Sequence, residues 1–224
     1  NALAMASLEN SNEPVEDEHL QNHNLIAHSD NISLEKQAAL AKIQARFRGD
    51  RDRETHISRA KEGKPVCPFL RTPQNAVTSL IKLGNITSDD IVYDLGCGDG
   101  LISLAAGRVG AKCIGFDIDL VHLNTAKKLA IKEGLESLVE FRSDDVLTLD
   151  LSPATCLVMF LVPNMLSALS DNFSAMKPGT RIVSFHFPIP NWEADMEEIV
   201  DHPLHPPPAK TNTYLYIIKE KEIQ

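Results

Sequence analysis

From residue 64 onward, short apolar runs alternate with stretches in which apolar residues recur at helical spacing. The short runs predict five strands, at residues 91–95, 113–117, 139–142, 156–161 and 181–186. The amphipathic stretches predict helices at residues 74–83, 101–109, 121–133 and 164–176. Strands and helices that alternate in this way are typical of a parallel sheet covered on both faces.

The end of the chain departs from this alternation. No helical pattern separates residues 192–201 from residues 212–219. The alternation within residues 213–218 is instead typical of a strand in an antiparallel pair. We therefore predict an α/β domain over residues 64–224 that ends in an antiparallel hairpin.

Two segments precede this domain. Residues 1–32 contain no Lys or Arg and too little apolar surface to fold alone, so they predict a flexible tail. The six acidic residues of the tail are Glu9, Glu13, Glu16, Asp17, Glu18 and Asp30. In residues 33–63 a helix is predicted, because Ser33 can cap its start and Gly63 lies beyond its end. This helix is basic, since residues 34–64 hold nine Lys or Arg against five Asp or Glu.

The bulk composition narrows the function classes. A net charge of −9 disfavours nonspecific nucleic-acid binding, so no nucleic-acid partner is expected. The four cysteines form no C-x-x-C pair, so neither a metal site nor a disulfide framework is predicted. No apolar run approaches the roughly 20 residues of a membrane-spanning helix. The acidic residues 1–32 show no basic or Arg-rich targeting pattern, so a cytoplasmic location is expected.

Residues 93–100, Tyr-Asp-Leu-Gly-Cys-Gly-Asp-Gly, carry the most specific signal. They lie between a predicted strand and a predicted helix, where glycines let a ligand approach the backbone and the helix N-terminus offers free N–H groups. A dinucleotide loop at this place binds a pyrophosphate, but Asp94 and Asp99 would repel that group and attract a cation. S-adenosylmethionine (SAM) carries both an ammonium and a sulfonium. The loop resembles motif I of the class I SAM-dependent methyltransferases.

The resemblance implies a Rossmann-like fold, a doubly wound and mostly parallel seven-stranded sheet with a C-terminal antiparallel hairpin. It also implies SAM as the cofactor, and Asp94 or its water shell would hold the methionine ammonium. Three glycines, Gly96, Gly98 and Gly100, would let the ligand pass close to the backbone. Cys97 is interpreted as a small filler and not as a nucleophile, because no basic partner would lower its pKa.

The next two strands are predicted to end in further cofactor contacts. Asp117 lies 21 residues beyond Gly96, close to the interval of about 20 residues at which an acidic residue meets ribose hydroxyls in dinucleotide folds. The alternative is that Asp117 merely caps the next helix, a role for which Asp119 is better placed. In the family an acidic residue after the third strand accepts from the adenine amine. Asp145 would do so here, with Asp144 as the alternative. The predicted cofactor set is completed by Ile118 and Phe160.

The fourth strand indicates the kind of methyl acceptor. Many methyltransferases that act on amide or exocyclic nitrogens carry Asn/Asp-Pro-Pro-aromatic there, whereas this chain has Phe-Leu-Val-Pro at residues 160–163. Together with Pro-Phe-x-x-Thr-Pro at 68–73 and Phe-Pro-x-Pro-x-Trp at 187–192, this set resembles the lysine methyltransferases of the adenine nucleotide translocase and the ATP synthase c-subunit. The resemblance implies a protein-lysine N-methyltransferase. Those enzymes carry a hydrophobic N-terminal segment, in place of which this sequence has an acidic tail, so a mitochondrial location is less expected.

The predicted acceptor site combines an apolar mouth with one histidine. A lysine must lose its proton before it attacks, and apolar surroundings lower the pKa of an ammonium by desolvation. That mouth is predicted to consist of Phe160, Pro163, Phe187 and Trp192. His186, at the end of the fifth strand, is the candidate proton relay. The alternative is a strand-end histidine that packs and hydrogen-bonds.

The basic helix contains Ile43-Gln44-x-x-x-Arg48-Gly-x-x-x-Arg53, a pattern that resembles the IQ motifs that bind calmodulin. Ile43 and Phe47 lie on one helical stripe and would anchor an acidic calmodulin-like lobe, with Arg48 and Arg53 as charge contacts. The alternative is a helix that docks on its own acidic domain. Rivals to a protein-lysine enzyme are a methyltransferase-like binding module that serves calmodulin and a small-molecule methyltransferase.

Overall fold

The computed structural model describes residues 67–201 and 210–220. Within them the helices are α1 (Gln74–Leu83), α2 (Leu101–Arg108), α3 (Leu120–Glu133) and α4 (Pro163–Ser174), and a 3-10 turn spans Val146–Thr148. The strands are β1 (Ile91–Leu95), β2 (Lys112–Phe116), β3 (Val139–Arg142), β4 (Cys156–Met159), β5 (Arg181–Phe185), β6 (Met196–Asp201) and β7 (Lys210–Ile217). The predicted tail at residues 1–32 and the predicted basic helix at residues 33–63 lie outside the described residues.

The described strands form one sheet in the order β3-β2-β1-β4-β5-β7-β6. β1 lies between β2 and β4 and is parallel to both, so that Asp94 pairs with Gly115 on one side and Val158 on the other. β3 and β5 extend the parallel part, and β7 is antiparallel to both β5 and β6. This arrangement confirms the doubly wound, mostly parallel seven-stranded sheet with a C-terminal antiparallel hairpin. The strand order reverses between β1 and β4, which is where ligands bind in open α/β sheets.

Apolar side chains fill both faces of the sheet. One core packs α1, α2 and α3 against the strands through fully buried residues such as Leu80 and Leu104. The other core packs α4 against the opposite face through Leu166 and Phe173. Full burial of a side chain of this size contributes about 1.5–3 kcal/mol relative to exposure. Because both faces are covered, the central strand β4 is apolar and buried throughout, whereas the edge strand β3 alternates buried and exposed residues.

Three parallel strands end earlier than their sequence patterns predict. The predicted ends were residues 117, 161 and 186, and the observed ends are Phe116, Met159 and Phe185. The residues beyond these ends make contacts or adopt backbone conformations that differ from the regular pairing between strands. Asp117, for example, accepts from the Gly98 N–H, and His186 has a positive φ of 71°. These residues therefore shape the carboxyl edge of the sheet.

A charged cluster joins β1, β4 and β5 at the amino edge. The Asp90 carboxylate accepts from the Arg181 guanidinium and from Thr155 Oγ1, the latter at 2.7 Å. Arg181 also donates to two backbone carbonyls that follow α1. Burial raises the pKa of Asp90, but hydrogen bonds from Thr155 and Thr87 and the charge of Arg181 outweigh burial and hold the pKa below its usual value. The cluster fixes β5 to the start of β1.

Candidate functional site

A cavity lies at the carboxyl ends of β1 to β4, where the strand order reverses. Its walls are residues 67–70 and 72, the glycine loop after β1, the turns after β2 and β3, and the segment between β4 and α4. Among the described residues that line it there is no Lys or Arg. The five aspartates of the lining are Asp99, Asp117, Asp119, Asp144 and Asp145.

The glycine loop is shaped by its backbone. Gly96, Gly98 and Gly100 have φ values of 77°, 52° and 81°, in the left-handed region that other residues rarely adopt. The Gly96 N–H donates to the Phe116 carbonyl at 2.9 Å, which fastens the loop to β2. Space is also limiting, because a Cβ at Gly98 would lie 2.2 Å from the Phe69 ring. Gly96 lines the cavity itself, whereas Gly98 and Gly100 set the path of the loop.

Asp94 is buried, with 1% exposure, and is not part of the cavity lining. Its Oδ2 accepts from the backbone N–H of Ser103 at 3.0 Å and from Ser103 Oγ at 2.6 Å. Its Oδ1 is buried without a partner among the described residues. Burial raises the pKa of Asp94 to about 7, although the Ser103 hydrogen bonds oppose the rise. A buried acceptor of this kind is completed by a ligand or a water, and the role of Asp94 in holding an ammonium stays a prediction.

Asp117 lines the cavity and fixes the glycine loop to the turn after β2. Its Oδ2 accepts from the Gly98 N–H at 2.8 Å, and its Oδ1 accepts from the Asp119 N–H at 2.9 Å. Burial raises its pKa, against the effect of these two hydrogen bonds. Each oxygen keeps a further lone pair for a ligand hydroxyl. The alternative in which Asp117 caps α3 is wrong, because Asp119 is the N-cap and accepts from the Val121 N–H at 2.6 Å.

Asp144 and Asp145 both line the cavity where the chain leaves β3. Asp145 accepts from the Leu147 N–H at 3.1 Å and caps the 3-10 turn, while Asp144 is exposed. Ile118, from the turn after β2, adds an apolar side chain to the lining. Both aspartates therefore stay candidates for the adenine contact.

Cys97 is a buried residue of the lining. Burial, and to a lesser extent the charge of Asp94, raises the pKa of its thiol well above the usual value. Because the thiolate is the nucleophilic form, a thiol that stays protonated is unsuited to attack. This supports the interpretation of Cys97 as a small filler.

Of the residues of the predicted acceptor mouth, one lines the cavity. Phe160 lines the cavity and packs edge-on against the Phe185 ring, with centroids 4.8 Å apart. The other predicted members, Pro163, Phe187 and Trp192, are not part of the lining. Leu161 and Met165 line the cavity in their place.

The contacts of Trp192 and Pro163 both concern α4. The Trp192 indole N–H donates to Ser170 Oγ at 3.0 Å, and the ring packs edge-on against Phe173. Pro163 is the first residue of α4, where its fixed φ suits the start of a helix. Both residues therefore hold the helix that carries Met165.

His186 also lies outside the lining. Its Nδ1 is 2.7 Å from Thr211 Oγ1, and its ring packs edge-on against Phe187 with centroids 4.4 Å apart. These contacts match the alternative of a histidine that packs and hydrogen-bonds. Its role as a proton relay stays a prediction.

The sequence pattern did not reveal one wall of the cavity, residues 67–72, which we call the strap. Five of its six residues line the cavity. The Phe69 ring stacks on the His122 ring with centroids 4.0 Å apart, and Cys67 Sγ lies 3.8 Å from the Phe160 carbonyl oxygen. The available signal was Pro-Phe-x-x-Thr-Pro at residues 68–73, because a residue before proline is biased towards an extended backbone. That signal predicts a fixed extended segment but not its position.

Residues 67–201 and 210–220 hold no group of three or more His, Cys, Asp or Glu that could bind a metal ion. In the same part of the chain, no helix has the length and apolar character needed to cross a bilayer. The predicted calmodulin contacts Ile43, Gln44, Phe47, Arg48 and Arg53 lie outside the described residues.

Comparison with known proteins assigns this arrangement to a family. Residues 94–196 match the family model of the ANTKMT methyltransferase domain. The match begins within β1 and covers the glycine loop, the turns after β2 and β3, and the segment between β4 and α4.

Two relatives are named for lysine methylation. A protein-lysine N-methyltransferase of Saccharolobus islandicus is 31% identical over 160 residues, which are 70% of this chain and 96% of the relative. The ATP synthase c-subunit lysine N-methyltransferase of Rattus norvegicus is 26% identical over 134 residues, which are 59% of this chain and 62% of that enzyme. This chain thus spans less than two thirds of the rat enzyme.

A solved structure shares the fold. An RNA methyltransferase from Salinibacter ruber, in complex with S-adenosyl-L-homocysteine (SAH), matches with a TM-score of 0.61 and 32% identity over 68% of this chain and 95% of that chain. The shared sheet, the glycine loop and the nearly complete coverage of the S. islandicus enzyme lead to one assignment. This chain belongs to the class I SAM-dependent methyltransferases, in the family that includes the protein-lysine N-methyltransferases.

Proposed function

We propose that this protein transfers a methyl group from SAM to the side-chain nitrogen of a lysine in another protein. The observation that carries the proposal is the charge of the cavity, whose described lining has five aspartates and no Lys or Arg. Such a lining attracts a cationic acceptor and repels a phosphate. The family supports methyl transfer, and the S. islandicus and rat relatives are both named for lysine methylation.

The residues that line the cavity, together with the buried Asp94 next to the glycine loop, fit the cofactor. The left-handed glycines leave the backbone of the loop open to close approach. The unpartnered Oδ1 of Asp94 is a buried acceptor suited to the methionine ammonium. Asp117 would accept from the ribose hydroxyls, and Asp144 or Asp145 from the adenine amine. Apolar contacts would come from Ile118 and Phe160. When bound, SAM supplies a methyl group on a positively charged sulfur.

The acceptor side must deliver a neutral amine in line with that methyl group. Carboxylates in the lining attract the lysine ammonium, while Phe160, Leu161 and Met165 give an apolar surround. Desolvation by such a surround lowers the pKa of lysine below its usual value of about 10.4. His186, held at Nδ1 by Thr211, is the proposed proton relay.

An RNA acceptor is the competing proposal, because the S. ruber protein is named an RNA methyltransferase. RNA carries a negative charge on every phosphate, and proteins bind it through Lys and Arg. A lining with aspartates and without Lys or Arg opposes that approach. The charge of the cavity therefore favours the lysine acceptor.

The lysine and RNA acceptors can be distinguished by incubating the protein with a cell lysate and SAM that carries a tritium-labelled methyl group. We expect label that survives ribonuclease and is removed by protease, with mass spectrometry locating the methyl groups on lysine. The Asp117→Ala variant at equal concentration is the control and should transfer far less label. Label in RNA alone, or methyl groups only on carboxylates or thiols, would contradict the proposal.

A further proposal concerns a partner and a location. The IQ pattern supports a calmodulin-like protein as a partner of the basic helix in the cytoplasm, with Ile43 and Phe47 as anchors. Pull-down of the full chain with calmodulin, with and without calcium, tests the contact. Loss of binding in the Ile43→Asp/Phe47→Asp variant would support it, and equal binding by that variant would make the pattern a coincidence.

A further inference from the structure

The strap lies directly against the glycine loop. A Cβ built on Gly98 would lie 2.2 Å from Cε2 and 2.5 Å from Cδ2 of the Phe69 ring. The ring therefore occupies the space that any other residue at position 98 would fill. The same ring stacks on His122 with an interplanar angle of 31°. Phe69 thus bridges the loop after β1 and the start of α3.

The two ends of the strap reach other walls of the cavity. At one end, Cys67 Sγ lies 3.8 Å from the carbonyl oxygen of Phe160, which follows β4. At the other end, Arg71 Nε lies 3.0 Å from Asp99 Oδ2, just before α2. The strap therefore connects the segment after β4 with the loop that precedes α2.

The strap is more exposed than Cys97, Gly98 and Gly100 of the loop it covers. All of its residues are half-buried or exposed, and the Arg71 side chain is 66% exposed. Exposed ion pairs such as that of Arg71 contribute little to stability. Segments with few buried contacts are the ones that open locally without global unfolding. Cys67 packs at the margin of one core, but none of the fully buried core residues belongs to the strap. The strap can therefore leave the loop while those residues stay packed.

We infer that Phe69 is a positioning residue for the cofactor, and that the strap covers the bound cofactor and must open before the product SAH can leave. The inference rests on the proposed function only through the identity of the cofactor. The Phe69 ring, seated on Gly98 and stacked on His122, closes the cofactor side of the cavity. Residues Cys67 to Thr72 then exclude water from the place where the methyl group is transferred.

Two measurements on the full chain test this inference. Stopped-flow fluorescence gives the rate at which SAH is released, and calorimetry gives the affinity for SAH. An aromatic contact of this kind corresponds to up to about tenfold in binding. We expect Phe69→Ala to weaken SAH affinity by about tenfold, mainly through faster release. KM for SAM should rise more than kcat falls, and Phe69→Leu should restore part of the affinity. If Phe69 only stabilised the fold, Phe69→Ala would instead lower the melting temperature without this difference between KM and kcat.

Two further variants separate a contact from a loss of stability. Phe173→Leu removes a fully buried ring on α4, so it should lower the melting temperature and leave SAH affinity unchanged. Gly98→Ala should weaken SAH binding strongly in the natural chain and less in the Phe69→Ala background, because the clashing ring is then absent. Equal effects of Gly98→Ala in both backgrounds, or unchanged SAH release in Phe69→Ala, would overturn the inference. A natural chain that binds no SAH at all would overturn the proposed function as well.

Discussion

The carboxyl ends of β1 to β3 and the carboxyl end of β4 build their parts of the site in different ways. After β1 and β2 the site consists of backbone and carboxylates, with the glycine loop tied to Asp117 by the Gly98 N–H. After β4 it consists of apolar and aromatic side chains, such as Phe160, which packs against Phe185 of β5. The first part is therefore fixed by local sequence, and the second by packing between distant segments. Substitutions in the two parts should have separable effects on the cofactor and on the acceptor.

The largest loss of stability and of SAH binding is expected at Gly100, where neighbouring side chains leave no space for a Cβ. Its φ is 81°, and a Cβ would lie 2.7 Å from the Phe141 ring and 2.8 Å from the Ala126 Cβ. Overpacking and left-handed strain together should cost Gly100→Ala about 3 kcal/mol of unfolding free energy and abolish SAH binding. Denaturant titration and calorimetry measure the two effects.

Gly134 provides the matched control for Gly100. Its φ is also positive, 67°, but no atom lies within 4 Å of its Cβ position. Gly134→Ala should lose only about 1 kcal/mol, from strain alone, and keep SAH binding. Similar losses in both variants would contradict the steric account of the loop.

Arg181→Ala tests the charged cluster of Asp90, Thr155 and Arg181, which joins β1, β4 and β5 at the amino edge of the sheet. Removing the partner of the buried Asp90 should cost about 3 kcal/mol of unfolding free energy near pH 7. Because the folded state holds the pKa of Asp90 below its usual 3.8, this stabilisation is present above that value and is lost as the pH falls through the folded pKa. Urea titrations of both chains should therefore differ less as the pH falls below about 4, and a smaller difference should remain from the hydrogen bonds of Arg181 to the Gly84 and Asn85 carbonyls.

The exposed pair of Arg142 and Glu140 is the control for this cluster. Arg142→Ala should cost less than about 1 kcal/mol. A loss in Arg181→Ala that is equally large at every pH would contradict the role of ionised Asp90.

Asp117→Ala should weaken the cofactor part without unfolding it. Its loss leaves the Gly98 N–H and the ribose hydroxyls without an acceptor, so SAH affinity should fall by about 1–3 kcal/mol. Isothermal titration calorimetry measures the change, with Asp89→Ala at the amino edge as the control. Unchanged affinity in Asp117→Ala would reject the ribose assignment.

Asp94 should link cofactor binding to proton release. With a pKa of about 7 in the free protein, it is about half protonated at neutral pH. A cation bound at its unpartnered Oδ1 would lower that pKa, so binding should release up to about half a proton and strengthen as the pH rises from about 6 to 8. Calorimetry of SAH binding in buffers of different ionisation enthalpy measures the release. Asp94→Asn should abolish it, and no release in the natural chain would place the ammonium elsewhere.

The smallest effect is expected on the acceptor side at Trp192. Trp192→Phe loses the hydrogen bond to Ser170, which should cost about 1 kcal/mol of stability. Because the ring is not part of the cavity lining, kcat and the acceptor KM should stay nearly unchanged, whereas Phe160→Ala should impair both. A large fall in kcat for Trp192→Phe at unchanged SAH affinity would contradict this expectation and would indicate that the indole contacts the methyl acceptor.

The same contrast explains what the sequence could predict. The bounds of α1, β1 and β3 and the capping role of Asp119 followed from local periodicity and capping patterns, which the structure confirms. The strap and the acceptor side did not follow, because their contacts join distant segments. Cys67 and Phe160 are 93 positions apart, and Trp192 finds its hydrogen-bond partner on a preceding helix. No local pattern encodes which of several aromatic residues will face the cavity.

A crystal structure of the full chain with SAH tests the central claim most directly. The account predicts SAH in the cavity at the ends of β1 to β4, with its ribose hydroxyls within about 3.2 Å of the Asp117 carboxylate. The adenine amine should meet Asp144 or Asp145, and the Phe69 ring should close over the ligand. SAH bound outside this cavity, or bound without any contact to Asp117, would contradict the account.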